Sequence, residues 1–220
     1  MLFCCGKYFN QIEYIFTMSN EIKAVIFDLY GTLIYNKDTN PYLRLFLELG
    51  LSPEEMRQAR KIALTEDFSD LSGLANRIKP GATINLRSYE EEVAEGVASA
   101  ATFPETKKVL EELQERGLKV GLISNLASPY KKPFFNLGLD RYFEKVLFSC
   151  EAGWSKPNVK IYERMMQELN ITPAQALMIG DKLHCDVTPP LSLGMNALLI
   201  DRNNKTKPAI RSLDEIFQYL

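Results

Sequence analysis

The sequence predicts an α/β fold in which a parallel sheet with helices on both faces is interrupted by a small all-helical insert. Three observations lead there. A short apolar run, 23–28, ends on Asp28 and meets a Gly31-Thr32 turn at once, as a buried strand does when it delivers a side chain to a loop. From residue 104 onward helical stretches alternate with short apolar runs, and strands separated by helices pair in parallel through right-handed crossovers. Between these regions residues 40–101 carry helical periodicity alone.

The elements follow in order. Residues 1–17 are broken by Lys7, Asn10, Gln11 and Glu13 and lack the clean apolar segment and cleavage site of a signal peptide, so they read as an extension ahead of a start at Met18. A polar lead then runs into the first strand. Helices are expected at 40–50, 53–68, 70–78 and 86–101. Leu43, Phe46, Leu47 and Leu51 recur at helical spacing, as do Met56, Ala59, Ile62 and Ala63, so these faces should pack as a small bundle. Chain crossings near 34–36 and 102–104 divide the protein into a core, 18–34 with 104–220, and an insert, 35–103, and would allow hinged motion.

In the second half, a helix at 106–116 is closed by Gly117 and followed by a strand at 118–124. A helix at 131–136 with Gly138 precedes a strand at 145–148, and a helix at 159–169 precedes one at 176–179. A last strand spans 196–200. Thr172-Pro173-Ala174-Gln175 has the cap, first-turn proline and third-position glutamine of a short helical turn.

Composition narrows the function classes. The 26 Lys and Arg against 28 Asp and Glu leave a net charge of -2, so there is no basic footprint for nucleic acid. Cys4, Cys5, Cys150 and Cys185 have neither metal-ligand nor disulfide-scaffold spacing, which suits a reducing cytoplasm. No apolar run approaches the ~20 residues that span a bilayer, so no membrane partner is expected. Oligomeric state is not legible.

The chemistry collects at strand ends, where ligands of open α/β sheets bind. Asp28 beside a glycine turn can act as nucleophile toward a bound anion, or can simply cap the turn. Ser124-Asn125 ends the second long strand and offers a hydroxyl and an amide to the same anion. Lys156 precedes a helix start, where the macrodipole disfavours a cation, so it calls for a carboxylate partner or a bound anion. Asp181 and Asp186 follow another strand. Three carboxylates near one lysine raise one another's pKa or recruit a cation, and an all-oxygen set suits Mg²⁺. His184 and Trp154 read as a solvent-facing loop residue and a packing residue. Pro189-Pro190 should shift the helix start that follows Asp186 and with it the fine placement of that acid.

In order, the motifs DLYGT, SN, SKP and GDKLHCD resemble the four motifs of the haloacid dehalogenase superfamily, from about residue 22 to the end. The resemblance implies a Rossmann-like core with a helical cap and a small-molecule substrate. It assigns Asp28 as nucleophile, Thr32, Ser124 and Asn125 as ligands of the transferring group, and Lys156 as its counter-charge. Mg²⁺ would be held by Asp28, Asp181, Asp186 and the carbonyl of Tyr30. Tyr30 departs from the phosphatase pattern, which has an acid two residues after the nucleophile, and resembles the metal-free 2-haloacid dehalogenases instead. Phenol is a poor base near neutrality, so Tyr30 predicts weak turnover or a good leaving group. The acid count favours a Mg²⁺-dependent phosphatase, with dehalogenation and a non-catalytic phospho-ligand binder as alternatives. Arg57 or Arg60 would match a dehalogenase's carboxylate-binding arginine or be a solvated helix charge.

Overall fold

The computed structural model describes residues 21–37, 40–203, 205–206 and 209–220; the 1–17 extension and the start at Met18 lie outside the described residues. Strand β1 (Ala24–Phe27) is fully buried, as its unbroken apolar sequence requires. The chain turns at Gly31, whose φ of +82° favours glycine, and enters the two-residue strand β2 (Ile34–Tyr35).

Four helices then form, each start set by local chemistry. Asn40 caps α1 (Pro41–Glu48) by accepting from the Leu43 amide. Ser52 and Glu55 make a reciprocal capping box on α2 (Pro53–Thr65), and Asp70 accepts from the Gly73 amide to cap α3 (Leu71–Ile78). The last, α4 (Arg87–Ala98), has no side-chain cap. Leu45, Phe46, Leu49, Leu74, Tyr89 and Val93 belong to a core of their own within this insert. The apolar face of α1 differs from expectation: Leu43 and Leu47 are exposed, and Leu45, Phe46 and Leu49 are buried. Leucines lie on more than one side of this helix, so its packing against α2 and α4 selects the buried stripe.

A second difference follows α4. Ala101, assigned from sequence to the end of that helix, and Thr102, assigned to the chain crossing, form strand β3 (Ala101–Thr102), antiparallel to β2. This ribbon sits where the chain leaves and re-enters the sheet.

The alternating pattern then unfolds as expected, with one unpredicted four-residue helix, Ser149–Ala152, added. It comprises α5 (Thr106–Glu115), β4 (Lys119–Ser124), α6 (Lys132–Asn136), β5 (Lys145–Phe148), α7 (Ser149–Ala152), α8 (Val159–Leu169), β6 (Ala176–Gly180), α9 (Thr188–Ser192) and β7 (Asn196–Leu199). The five long strands are all parallel in the order β5-β4-β1-β6-β7. Val25, Phe27 and Leu122 face one core with Leu110 and Phe134, while Ala24, Ile26 and Ile123 face another with Ile161 and Met165. That alternation is the period of two of a strand buried on both faces. Gly121 lets α8 approach closely, because a Cβ there would lie 2.9 Å from the Met165 sulfur. No helix among the described residues is long and apolar enough to cross a membrane.

With β1 central and the chain running first to β4 and later to β6, Asp28 stands at the switch point of the sheet's carboxyl edge.

Candidate active site

Asp28 follows β1 directly, its amide bonded to the Ile179 carbonyl at 2.9 Å. Its carboxylate is buried and Oδ1 accepts from Lys156 Nζ at 2.8 Å; the same ammonium donates to Asp186 Oδ1 at 2.5 Å. Lys156 lies in the loop before α8, and Asn125 fastens that loop to the end of β4. The Asn125 amide donates to the Lys156 carbonyl at 2.7 Å and accepts from its N–H at 2.8 Å. Asn125 thus grips the lysine backbone, while Ser124 lies buried beside it. Burial pulls the Lys156 ammonium down, but the charges and hydrogen bonds of Asp28 and Asp186 more than reverse this and hold it above the usual lysine range. The lysine that was out of place before a helix therefore has two carboxylate partners.

Asp186 sits in a π-helical turn, Leu183–Val187, and accepts from the Lys182 amide at 2.9 Å. The prolines that follow occupy the first turn of α9, where a missing N–H is tolerated, and Asp186 stays wholly buried next to Lys156. Gly180 makes room for it, since any Cβ there would collide with the Asp186 carboxylate. Tyr162 adds a hydrogen bond from its hydroxyl to the Cys185 carbonyl.

Asp28, Asp181 and Asp186 each present a carboxylate oxygen within 4.8 Å of the others. Burial, opposed by Lys182 and reinforced by the charges of Asp28 and Asp186, pushes the Asp181 carboxyl up to about 6. Asp181 Oδ1 and Thr32 Oγ1 are both buried without a hydrogen-bond partner. A Cβ on Gly31 would lie 2.6 Å from Asp181 Oδ2, so the turn is glycine on grounds of space as well as φ. Two orphaned oxygens and three crowded carboxylates with oxygen donors only fit a hard divalent cation.

Tyr30 turns its hydroxyl to the Tyr130 carbonyl, at 3.0 Å, and its ring meets Tyr130 edge-on at 6.1 Å. Burial, with a smaller effect of Tyr130, holds this phenol well above its ordinary pKa. The side chain is a wall of a cavity of about 580 Å³ between the insert and the sheet edge. Asn125 also lines it, so the cavity abuts the carboxylate site. Arg57 and Arg60 line it from α2; both are exposed, and Arg57 pairs with Glu54. His184 is exposed, and Trp154 packs with Lys160 Nζ 5.6 Å from its ring centre.

Two contributors carry no sequence signal. Arg202 donates to the Thr32 carbonyl at 2.8 Å and to Glu105 at 2.7 Å, with its guanidinium 3.4 Å above the Phe103 ring. Tyr130 enters the cavity from a 3-10 turn, Ser128–Lys131, whose sequence resembles any surface loop.

A family model described as a haloacid dehalogenase-like hydrolase matches residues 22–192. The glyceraldehyde 3-phosphate phosphatase of Methanothermobacter thermautotrophicus is 27% identical over 198 residues, covering 82% of this chain and 86% of its own. A solved haloacid dehalogenase-type phosphatase from Thermococcus onnurineus is 27% identical, with a TM-score of 0.64, covering 90% and 97% of the two chains. A 2-haloacid dehalogenase from Pseudomonas syringae pv. Tomato DC3000 superposes with a TM-score of 0.63 at 21% identity, covering 90% and 97%. That last likeness is one of fold, which both chemistries share.

Proposed function

Because the chain belongs to the haloacid dehalogenase-like hydrolases, we propose that it is a Mg²⁺-dependent phosphatase acting on a small phosphorylated molecule through Asp28. The observation that carries this reading is the Asp28, Asp181 and Asp186 cluster around Lys156, with the Asp181 and Thr32 oxygens left unpartnered beside it. Phosphatase-named relatives over most of the chain agree with it.

Lys156 holds Asp28 Oδ1, which orients Oδ2 for attack on phosphorus. The Thr32 hydroxyl and the Ser124 end of β4 receive the phosphoryl oxygens, and Asn125 keeps Lys156 in register to neutralise them. Displacement of the alcohol leaves an aspartyl-phosphate on Asp28, which water then hydrolyses. Mg²⁺, held by Asp28, Asp181, Asp186 and the Tyr30 carbonyl, would supply charge neutralisation at the phosphoryl oxygens. The helical insert, 35–103, acts as a cap that excludes water.

Tyr30 favours one second reading. Halide leaves without a proton, so displacement by the same Asp28 also tolerates a phenol at this position. Phosphate release from p-nitrophenyl phosphate, with Mg²⁺ or with chelator, separates the two. The phosphatase reading expects release that needs Mg²⁺ and falls to background in Asp28→Asn. Chelator-insensitive halide release from a 2-haloacid, without phosphate release, would replace it with dehalogenation. Stabilisation by phosphate without either turnover would leave a binding protein.

A further inference from the structure

We propose that the substrate is a phosphate monoester of a phenol, an aryl phosphate, bound with its ring in the cavity between insert and sheet; this rests on the phosphatase reading of Asp28. The cavity's lining carries the argument. Among the described residues its charged groups are the exposed guanidiniums of Arg57 and Arg60, and it holds no carboxyl, imidazole, ammonium or thiol group. The hydroxyl nearest the nucleophile in sequence, that of Tyr30, is already donated to the Tyr130 carbonyl. An alkoxide departing into this space would find, among the described lining residues, only phenols to protonate it, and burial holds those of Tyr30 and Tyr42 well above their ordinary range, whereas a phenolate, with a pKa near ~10, leaves on its own.

The walls suit the same leaving group. Tyr30, Tyr42, Phe46 and Tyr130 line the cavity with Met56 and Leu64. Tyr130 meets Tyr30 at 87° and Tyr42 at 46°, each 6.1 Å away, and Tyr42 meets Phe46 at 72°. These mixed orientations offer both ring edges and ring faces to a planar guest. At about 580 Å³ the space matches pockets for drug-sized ligands, and a three-carbon sugar phosphate would leave most of it unfilled.

The step balances without a proton donor. Asp28 Oδ2 bonds to phosphorus, the phosphorus–aryl-oxygen bond breaks, and its electron pair leaves on the phenolate, which takes a proton from solvent. Water then cleaves the aspartyl-phosphate, passing its protons to phosphate and solvent and restoring the carboxylate.

The test is steady-state hydrolysis by the full chain at saturating Mg²⁺ of glycerol phosphate, phenyl phosphate and 2-naphthyl phosphate, the last two having leaving groups of similar acidity. Expected is a kcat/KM for phenyl phosphate at least about 100-fold above that for glycerol phosphate, the effect of a missing general acid. The larger ring should lower KM by about 10-fold relative to phenyl phosphate through added apolar contact. Tyr42→Ala should erase that advantage and Tyr42→Phe should keep it. Glycerol phosphate turned over as well as phenyl phosphate, or a naphthyl ester with no KM advantage, would overturn the aryl assignment and leave a phosphatase. No hydrolysis of any of the three esters would overturn the phosphatase reading, and the proposal with it.

Discussion

Asp181 is the least satisfied member of the carboxylate cluster. Its Oδ1 is buried without a hydrogen bond, with Lys182 Nζ no nearer than 3.9 Å, and burial pushes its carboxyl up to about 6. A carboxyl whose folded pKa lies above its unfolded value of about 3.9 penalises the fold when ionised; the penalty is absent below that value and grows as pH rises through the folded one. In chelator at pH 7, Asp181→Asn should therefore raise Tm by about 2–4 °C, the response to roughly 1 kcal/mol in a chain this size, the partial exposure of the side chain holding the effect near that figure. The gain should vanish toward pH 4. Mg²⁺ should then stabilise the parent protein and not the variant. Thermal melts in chelator and in Mg²⁺ check both, and a variant less stable than the parent at pH 7 without metal would refute the crowding argument. Asp28 and Asp181 were legible in the sequence because each follows an apolar run that ends abruptly, and Asp186 was legible as the second acid of GDKLHCD. The purpose of Gly180 was not, since what it provides is room for Asp186, a residue that only the fold brings against it.

At the scale of elements, the long strands and their helices were readable because each carries several turns or alternations of pattern. The ribbon β2–β3 was not, because two residues hold no period, and neither was the true buried face of α1, which its neighbours decide. Arg202 belongs to the same blind spot, as it lies beyond the last long strand and acts only through contacts distant in sequence. It ties the Thr32 carbonyl to Glu105 and stacks on Phe103, whose amide donates to the Leu33 carbonyl at 3.1 Å. One guanidinium thus joins the turn after β1 to the point where the chain leaves the insert. Arg202→Ala should cost about 2 kcal/mol in urea denaturation, because Glu105 is left half-buried without its partner. It should also lower kcat/KM by loosening Thr32. Arg202→Lys should not restore either, since a point charge cannot hold two acceptors and a ring at once. Full stability in the lysine variant would reduce Arg202 to a simple counter-charge.

Across the whole molecule, the insert meets the core at the β2–β3 ribbon, which we propose as a hinge, and at a second set of contacts, which we propose as a latch. The latch lies beyond the cavity: Ser128 Oγ accepts from the Phe68 amide at 2.9 Å, and Lys131 bridges Asp67 of the insert, at 3.2 Å, to Glu151 of the core, at 2.6 Å. Tyr42 packs on Tyr130 between the two, so the cavity has the insert for one wall and the sheet edge for the other. If a product is held there until the latch parts, opening limits turnover, as it often does in enzymes with closing lids. Asp67 is exposed, so its pair with Lys131 should contribute little to stability yet bias the closed form. Asp67→Ala should accordingly raise kcat and KM together by about 2–5-fold, the worth of one exposed ion pair, and leave kcat/KM nearly unchanged. High salt should move the parent enzyme the same way, because it screens the same pair. Steady-state kinetics on an aryl phosphate at two ionic strengths would decide it: a variant with reduced kcat and unaltered KM would place the slow step in the chemistry at Asp28 rather than in the opening of the insert.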